Sequence, residues 1–173
     1  SIAPQDSVVI DSEDLPPGDH EGFGSTVAGA GDLNGDGFAD FAIAQPGYTN
    51  GEASEGAVFV YFGGAPFNSV IDATLQSNLA GAGFGTRIAG ADDINGDGYA
   101  DLVVGAPLAA NGQVAEGQVF VYLGRNGSFP TSPVRTLEIN QVDALMGSSI
   151  AIGDIDDDGY ADILAGAPQA DFG

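Results

Sequence analysis

The chain has 173 residues and carries 25 acidic against 3 basic side chains, a formal charge of −22. That charge repels nucleic acid and anionic membrane surfaces, while a hydrophobic content of 43% is too high for a disordered acidic tail. Cysteine is absent, which excludes disulfides and thiolate metal sites, and no apolar run approaches the length of a membrane span.

The length suits one domain with a sizeable core. The 28 glycines lack the triplet period of collagen and fit an all-β chain with many tight turns. No signal peptide is visible, and a start at Ser1 without Met is expected of a processed or excised segment. Asn126-Gly127-Ser128 matches a glycosylation acceptor, a pattern short enough to arise by chance.

In chain order the first predicted strand is Val8–Ile10, followed by Ser25–Ala30, Asp40–Ala44 and Ala57–Phe62. A second round comprises Val70–Leu75, Thr86–Ala91, Asp101–Gly105 and Gln118–Leu123. A third comprises Val134–Ile139, Ser148–Ile152 and Asp162–Gly166. These runs are apolar or β-branched, punctuated by Gly, Pro, Asn and Asp, and none keeps a helical period over about ten residues.

The rounds are true repeats. Asp32, Asp93 and Asp154 stand 61 residues apart, as do Pro46, Pro107 and Pro168, and Val58-Phe59-Val60-Tyr61 returns as Val119-Phe120-Val121-Tyr122. Four short antiparallel strands per repeat is the blade pattern of a β-propeller. A sandwich would explain the strands but not the step. The expected units are about 1–67, 68–130 and 131–173, the last lacking its third strand. Closed propellers use ~4–8 blades, and open sheet edges are a liability. The expectation is a partial propeller completed by missing blades of the same chain, with closure by other copies as the alternative.

Each repeat carries an acidic loop between its first two strands, at Asp32–Asp40, Asp93–Asp101 and Asp154–Asp162. Oxygen side chains recur at loop positions 1, 3, 5 and 9: Asp32, Asn34, Asp36 and Asp40; Asp93, Asn95, Asp97 and Asp101; Asp154, Asp156, Asp158 and Asp162. Position 7 (Phe38, Tyr99, Tyr160) can add a backbone carbonyl. If the ninth residue binds through both oxygens the count reaches six, and a water makes seven, within the six to eight oxygens that Ca²⁺ takes. About three calcium ions per chain are expected. The crowded, flexible cage disfavours Mg²⁺, and the lack of Cys and His ligands disfavours Zn²⁺. Gly37, Gly98 and Gly159 permit the sharp turn. Without metal, carboxylates ~5 Å apart at an effective dielectric of about 20 repel by roughly 3 kcal/mol per pair. Position 12 is Ile43, Val104 or Ala165, where an EF-hand needs Glu, so the ninth residue must supply the last carboxylate. The plain alternative is an Asx-rich turn that satisfies only its own backbone.

With these loops in place, the chain resembles the FG-GAP repeat family, the blades of the integrin alpha-subunit propeller. Phe23-Gly24 and Phe84-Gly85 match the first half of the pattern; Gly105-Ala106-Pro107 and Gly166-Ala167-Pro168 match the second. Departures are Met146-Gly147, Gln45-Pro46-Gly47, and a third unit one residue shorter between Met146 and Asp154. The resemblance implies an extracellular or cell-surface, calcium-stabilised, seven-bladed propeller, with the metal on its lower face. Partners, a protein or glycan surface ligand, would then dock on upper loops 46–56 and 107–117, with 12–22 and 73–83 beside them. Three functions follow: an adhesion or recognition module, a scaffold stiffened by calcium, or a non-catalytic domain of a larger secreted enzyme.

Catalysis by this chain itself is not expected. His20 is the only histidine, with Asp19 and Ser25 near it in sequence, and nothing marks a triad or an oxyanion site. No nucleophile elbow occurs, Gly81–Gly85 lacks the dinucleotide fingerprint, and Asp171-Phe172-Gly173 matches a kinase tripeptide by accident. Phe59, Tyr61, Phe120 and Tyr122 are expected to pack between blades and not against a sugar.

Overall fold

The computed structural model describes residues 9–10, 15 and 21–171. Among them the chain forms ten strands and no helix. The first sheet runs β1 (Thr26–Gly31), β2 (Asp40–Gln45), β3 (Ala57–Tyr61) and β4 (Ala73–Gln76). The second runs β5 (Arg87–Gly90), β6 (Leu102–Ala106), β7 (Gln118–Tyr122) and β8 (Arg135–Leu137). β9 (Ser149–Gly153) pairs with β10 (Asp162–Gly166). Every strand pair is antiparallel and sequential, so each sheet is a simple meander.

Burial explains why β3 and β7 are almost wholly apolar. All five residues of each are buried: β7 lies between two neighbouring sheets, while β3 has the second sheet on one face and loop and N-terminal side chains of its own unit on the other, so neither strand has a solvent face. In β3, Val58 and Val60 join a core with Phe84, just before the second sheet, and with Leu102, Val104, Phe120 and Tyr122 within it. Phe84 meets Phe120 edge-on at 5.2 Å. Val103, Val119 and Val121 of the second sheet pack on Ile150, Ile152, Ile163 and Ala165 of the third. The sheets therefore stack face to face as propeller blades, with β1, β5 and β9 side by side. Phe120 and Tyr122 lie between blades as expected. Phe59 and Tyr61 point to the other face of the first blade, in a cluster with Ile10, Leu15, Phe23 and Phe41.

The fourth strands are shorter than the sequence suggested. β4 starts at Ala73, three residues after Val70, because local side chains take the neighbouring donors: Val70 N–H donates to Asn68 Oδ1 and Phe62 N–H to Asp72 Oδ2. β8 keeps only Arg135–Leu137 of the expected 134–139. Val9 and Ile10 are not in a strand, and Val8 lies outside the described residues. The same holds for His20 and most of the expected upper loop 12–22.

The short third unit also has a structural consequence. β1 contains a bulge between Gly29 and Gly31 before it meets Asp40. β9 reaches Asp162 in unbroken register through Gly153. One residue fewer removes the bulge and leaves the loop that follows in place. The motif glycines each donate to the far end of the second strand: Gly24 to Ala44, Gly85 to Gly105 and Gly147 to Gly166, all at 3.0 Å.

Candidate metal centre

The acidic loops are the β1–β2, β5–β6 and β9–β10 hairpins, all at one end of the blades. Loops 46–56 and 107–117, which join second to third strands, lie at the other end.

In the first loop Asp32 organises the turn. Its Oδ1 accepts from the N–H groups of Gly35 (2.7 Å) and Asp36 (3.0 Å), and its Oδ2 from Gly37 N–H (2.8 Å). Asn34 Oδ1 accepts from Asp36 N–H and Asp36 Oδ1 from Phe38 N–H, both at 2.9 Å. The second loop repeats the set around Asp93, Asn95 and Asp97, with Gly98 N–H at 2.7 Å from Asp93 Oδ2. In the third, Asp154 accepts from Asp158 and Gly159, and Asp158 from Tyr160. These bonds leave lone pairs on oxygens crowded into one small turn.

Among the described residues, three carboxylates converge in the third loop alone. One oxygen each from Asp154, Asp156 and Asp162 lie within 4.8 Å of one another, a donor set of hard oxygens alone.

The ninth residue plays a second part. Asp40 is 2% exposed and Asp101 fully buried. Asp40 Oδ2 accepts from Leu33 N–H and Oδ1 from Gly63 N–H, both at 2.8 Å. Asp101 does the same for Ile94 and Gly124, at 2.7 and 2.8 Å. Each carboxylate thus ties the acidic hairpin to the end of the third strand. Burial pushes both carboxyls above the ordinary Asp range; the backbone donors pull them down, and the neighbouring loop carboxylates push up again. A bidentate role at position 9 would have to share oxygens that already accept one N–H each. Asp162 is exposed and accepts from Ile155 at 3.1 Å.

Sequence reasoning missed the upper-loop anchors. Glu55 and Glu116 are fully buried, one period apart. Glu55 Oε1 accepts from Asn50 N–H at 2.9 Å, and Glu116 Oε1 from Asn111 N–H at 2.6 Å. Their shared 61-residue spacing was the available signal. Loops 46–56 and 107–117, which look dissimilar in sequence, are built on one frame. Each frame is clamped by the next unit: Gly81 N–H donates to Ala53 and Met146 N–H to Glu116.

The FG-GAP repeat model matches residues 23–61, 84–122 and 146–173, and each match spans one acidic hairpin with its flanking strands. The chain belongs to the FG-GAP repeat family. Its repeats are blades of the propeller type, which agrees with the stacked sheets. The chain is similar to integrin alpha-PS5 of Drosophila melanogaster, 35% identical over 162 residues, covering 87% of this chain and 15% of that protein. It is 33% identical over 163 residues to integrin alpha-7 of Rattus norvegicus, covering 92% of this chain and 14% of that protein. It is also 32% identical over 158 residues to the phosphatidylinositol-glycan-specific phospholipase D of Rattus norvegicus, covering 85% and 19%. The chain therefore spans less than a fifth of the length of these relatives. No helix among the described residues is long and apolar enough to cross a membrane.

Proposed function

We propose that the three FG-GAP hairpins each hold one calcium ion and that the chain is an extracellular recognition or adhesion module, not itself an enzyme. The observation that carries the metal reading is the convergence of Asp154, Asp156 and Asp162, repeated in donor type at the other two hairpins. The holding groups would be Asp32, Asn34, Asp36 and Asp40; Asp93, Asn95, Asp97 and Asp101; and Asp154, Asp156, Asp158 and Asp162. The carbonyls of Phe38, Tyr99 and Tyr160 would complete them. Calcium there neutralises repulsion inside each hairpin and stiffens the turn that joins the two inner strands. Units 1–67, 68–130 and 131–173 are the corresponding blades.

Recognition is assigned to the opposite end. Leu108 and Val114 are 53% and 69% exposed on loop 107–117, while the frame beneath them is held by buried Glu116. Exposed contact side chains on a rigid frame suit a protein or glycan ligand. A second reading comes from the phospholipase D relatives: the same repeats occur in a protein named as an enzyme, so this region can also be the non-catalytic part of a secreted hydrolase.

The test is calorimetric titration of calcium into chelator-treated protein, with melting followed at each ratio. About three ions per chain and a rising melting temperature support the proposal. Absence of binding, or an equal response to magnesium, sinks it.

A further inference from the structure

The acidic hairpins of successive blades touch. A Cβ built on Gly35 of the first loop would overlap the Tyr99 ring of the second, and a Cβ on Gly96 of the second would overlap the Tyr160 ring of the third. Each ring lies directly on the backbone of its neighbour's loop at position 4. A hydrogen bond accompanies each contact. Ala100 N–H donates to the Asp32 carbonyl at 3.0 Å, and Ala161 N–H to the Asp93 carbonyl at 2.9 Å. Tyr160 holds this position although it is 51% exposed.

From this arrangement we propose that Tyr99 and Tyr160 are positioning residues for the metal site of the preceding blade, so that occupancy of one hairpin raises the affinity of the hairpin before it. This rests on the calcium reading above. The physical link is a single residue. Tyr160 stands between Asp158, which accepts its N–H at 2.9 Å, and Asp162, in the turn that a cation would fix. Its ring, on the same Cα, braces Gly96 between Asn95 and Asp97, two donors of the neighbouring site. A cation in the third hairpin fixes Tyr160, and a fixed Tyr160 restricts the second hairpin before its own cation arrives. The second cation then meets a smaller ordering cost, which is positive coupling, and linkage makes it reciprocal.

Position 4 sets the limit of the relay. It is Gly35 and Gly96 in the first two loops but Asp157 in the third, at φ 63°. At Gly35 and Gly96 a Cβ would overlap the bracing ring, and Asp157 carries that Cβ. The third hairpin therefore lacks the glycine on which a ring rests in the other two, and the coupling links the third hairpin with the second and the second with the first, reciprocally within each pair.

The amides of Gly37, Gly98 and Gly159 each donate to the first Asp of their own loop, so they report the three sites separately in ¹H–¹⁵N spectra. Calcium is titrated into chelator-treated full chain. Tyr160→Ala is expected to raise the calcium midpoint read at Gly98 by roughly two- to tenfold, the range of one aromatic contact. The midpoint at Gly37, two hairpins away, should move less. Tyr160→Phe, which keeps the ring, should restore the wild-type midpoint at Gly98. Tyr99→Ala read at Gly37 is the independent second variant. An unchanged Gly98 midpoint in Tyr160→Ala, or equal shifts at Gly37 and Gly98, overturns the coupling while leaving calcium binding intact. No response of any of the three amides in the wild type removes the calcium reading itself.

Discussion

The same substitution at two positions of one hairpin separates a buried carboxylate that ties the hairpin to the third strand from an exposed one whose proposed task is the metal. Asp101 is fully buried and each of its oxygens accepts a backbone N–H, from Gly124 at 2.8 Å and Ile94 at 2.7 Å. In Asp101→Asn one oxygen becomes an NH₂ that faces a donor. One charge-assisted bond is lost, and a buried N–H is left without an acceptor. Bonds to charged groups contribute about 1.5–3 kcal/mol, and relief of the buried charge offsets part of the loss. A net cost of about 2–3 kcal/mol is expected, or roughly 4–12 °C in melting temperature for a chain of this size. Asp97 is exposed, and after Asp97→Asn the side-chain carbonyl can still accept from Tyr99 N–H. In chelator, Asp97→Asn should be neutral or slightly stabilising, because it removes repulsion with Asp93 and Asp101. In calcium, both variants should lose stabilisation. Melting of both proteins with chelator and with calcium makes the comparison. Equal destabilisation in chelator would refute the division of labour, and so would an Asp101→Asn protein that melts like wild type.

Other outcomes follow from particular contacts. Gly117→Ala would drive a Cβ into the backbone of Met146 at a residue with φ 79°, whereas Gly112→Ala, at φ 109°, meets nothing within 4 Å. Both strain the backbone, but only the first should also loosen the third unit, at a cost of about 3 kcal/mol or more against ~1 kcal/mol, measured by denaturant unfolding. Glu116→Ala removes the acceptor for Asn111 N–H from a buried site and should cost about 2–3 kcal/mol; Glu116→Gln keeps an acceptor and should cost less, with melting as the readout. The Tyr122 hydroxyl is buried with no hydrogen-bond partner among the described residues, and burial raises its pKa. Tyr122→Phe should be neutral or stabilise by up to about 1 kcal/mol, and a loss above that in a melt would show a partner for the hydroxyl.

Local periodicity and turn chemistry were legible without a structure. The 61-residue step, the β-rich runs and the Asp/Asn/Gly loops each depend on a few neighbouring residues, so the three hairpins and the oxygen-bearing side chains they carry could be named from the chain alone. Second strands such as Asp162–Gly166 were bounded well for the same reason. Other features depended on segments far apart in sequence, and only tertiary structure decided them. Short local bonds at Asn68 and Asp72 won over the ladder and delayed β4, a competition that β-propensity does not register. Phe59 and Tyr61 were expected between blades, but in the fold it is Val58 and Val60 that face the second sheet, while Phe59 and Tyr61 turn to side chains of their own unit. Asp101 read as one ligand among four, yet its burial arises because the end of β7 folds back to offer Gly124 N–H. Tyr99 and Gly35, like Tyr160 and Gly96, are far apart in sequence and come together only because adjacent blades place corresponding hairpins side by side. Sequence therefore determined what each repeat contains. How one repeat acts on the next was decided by packing, because inter-blade distance is set by the side chains buried between the sheets.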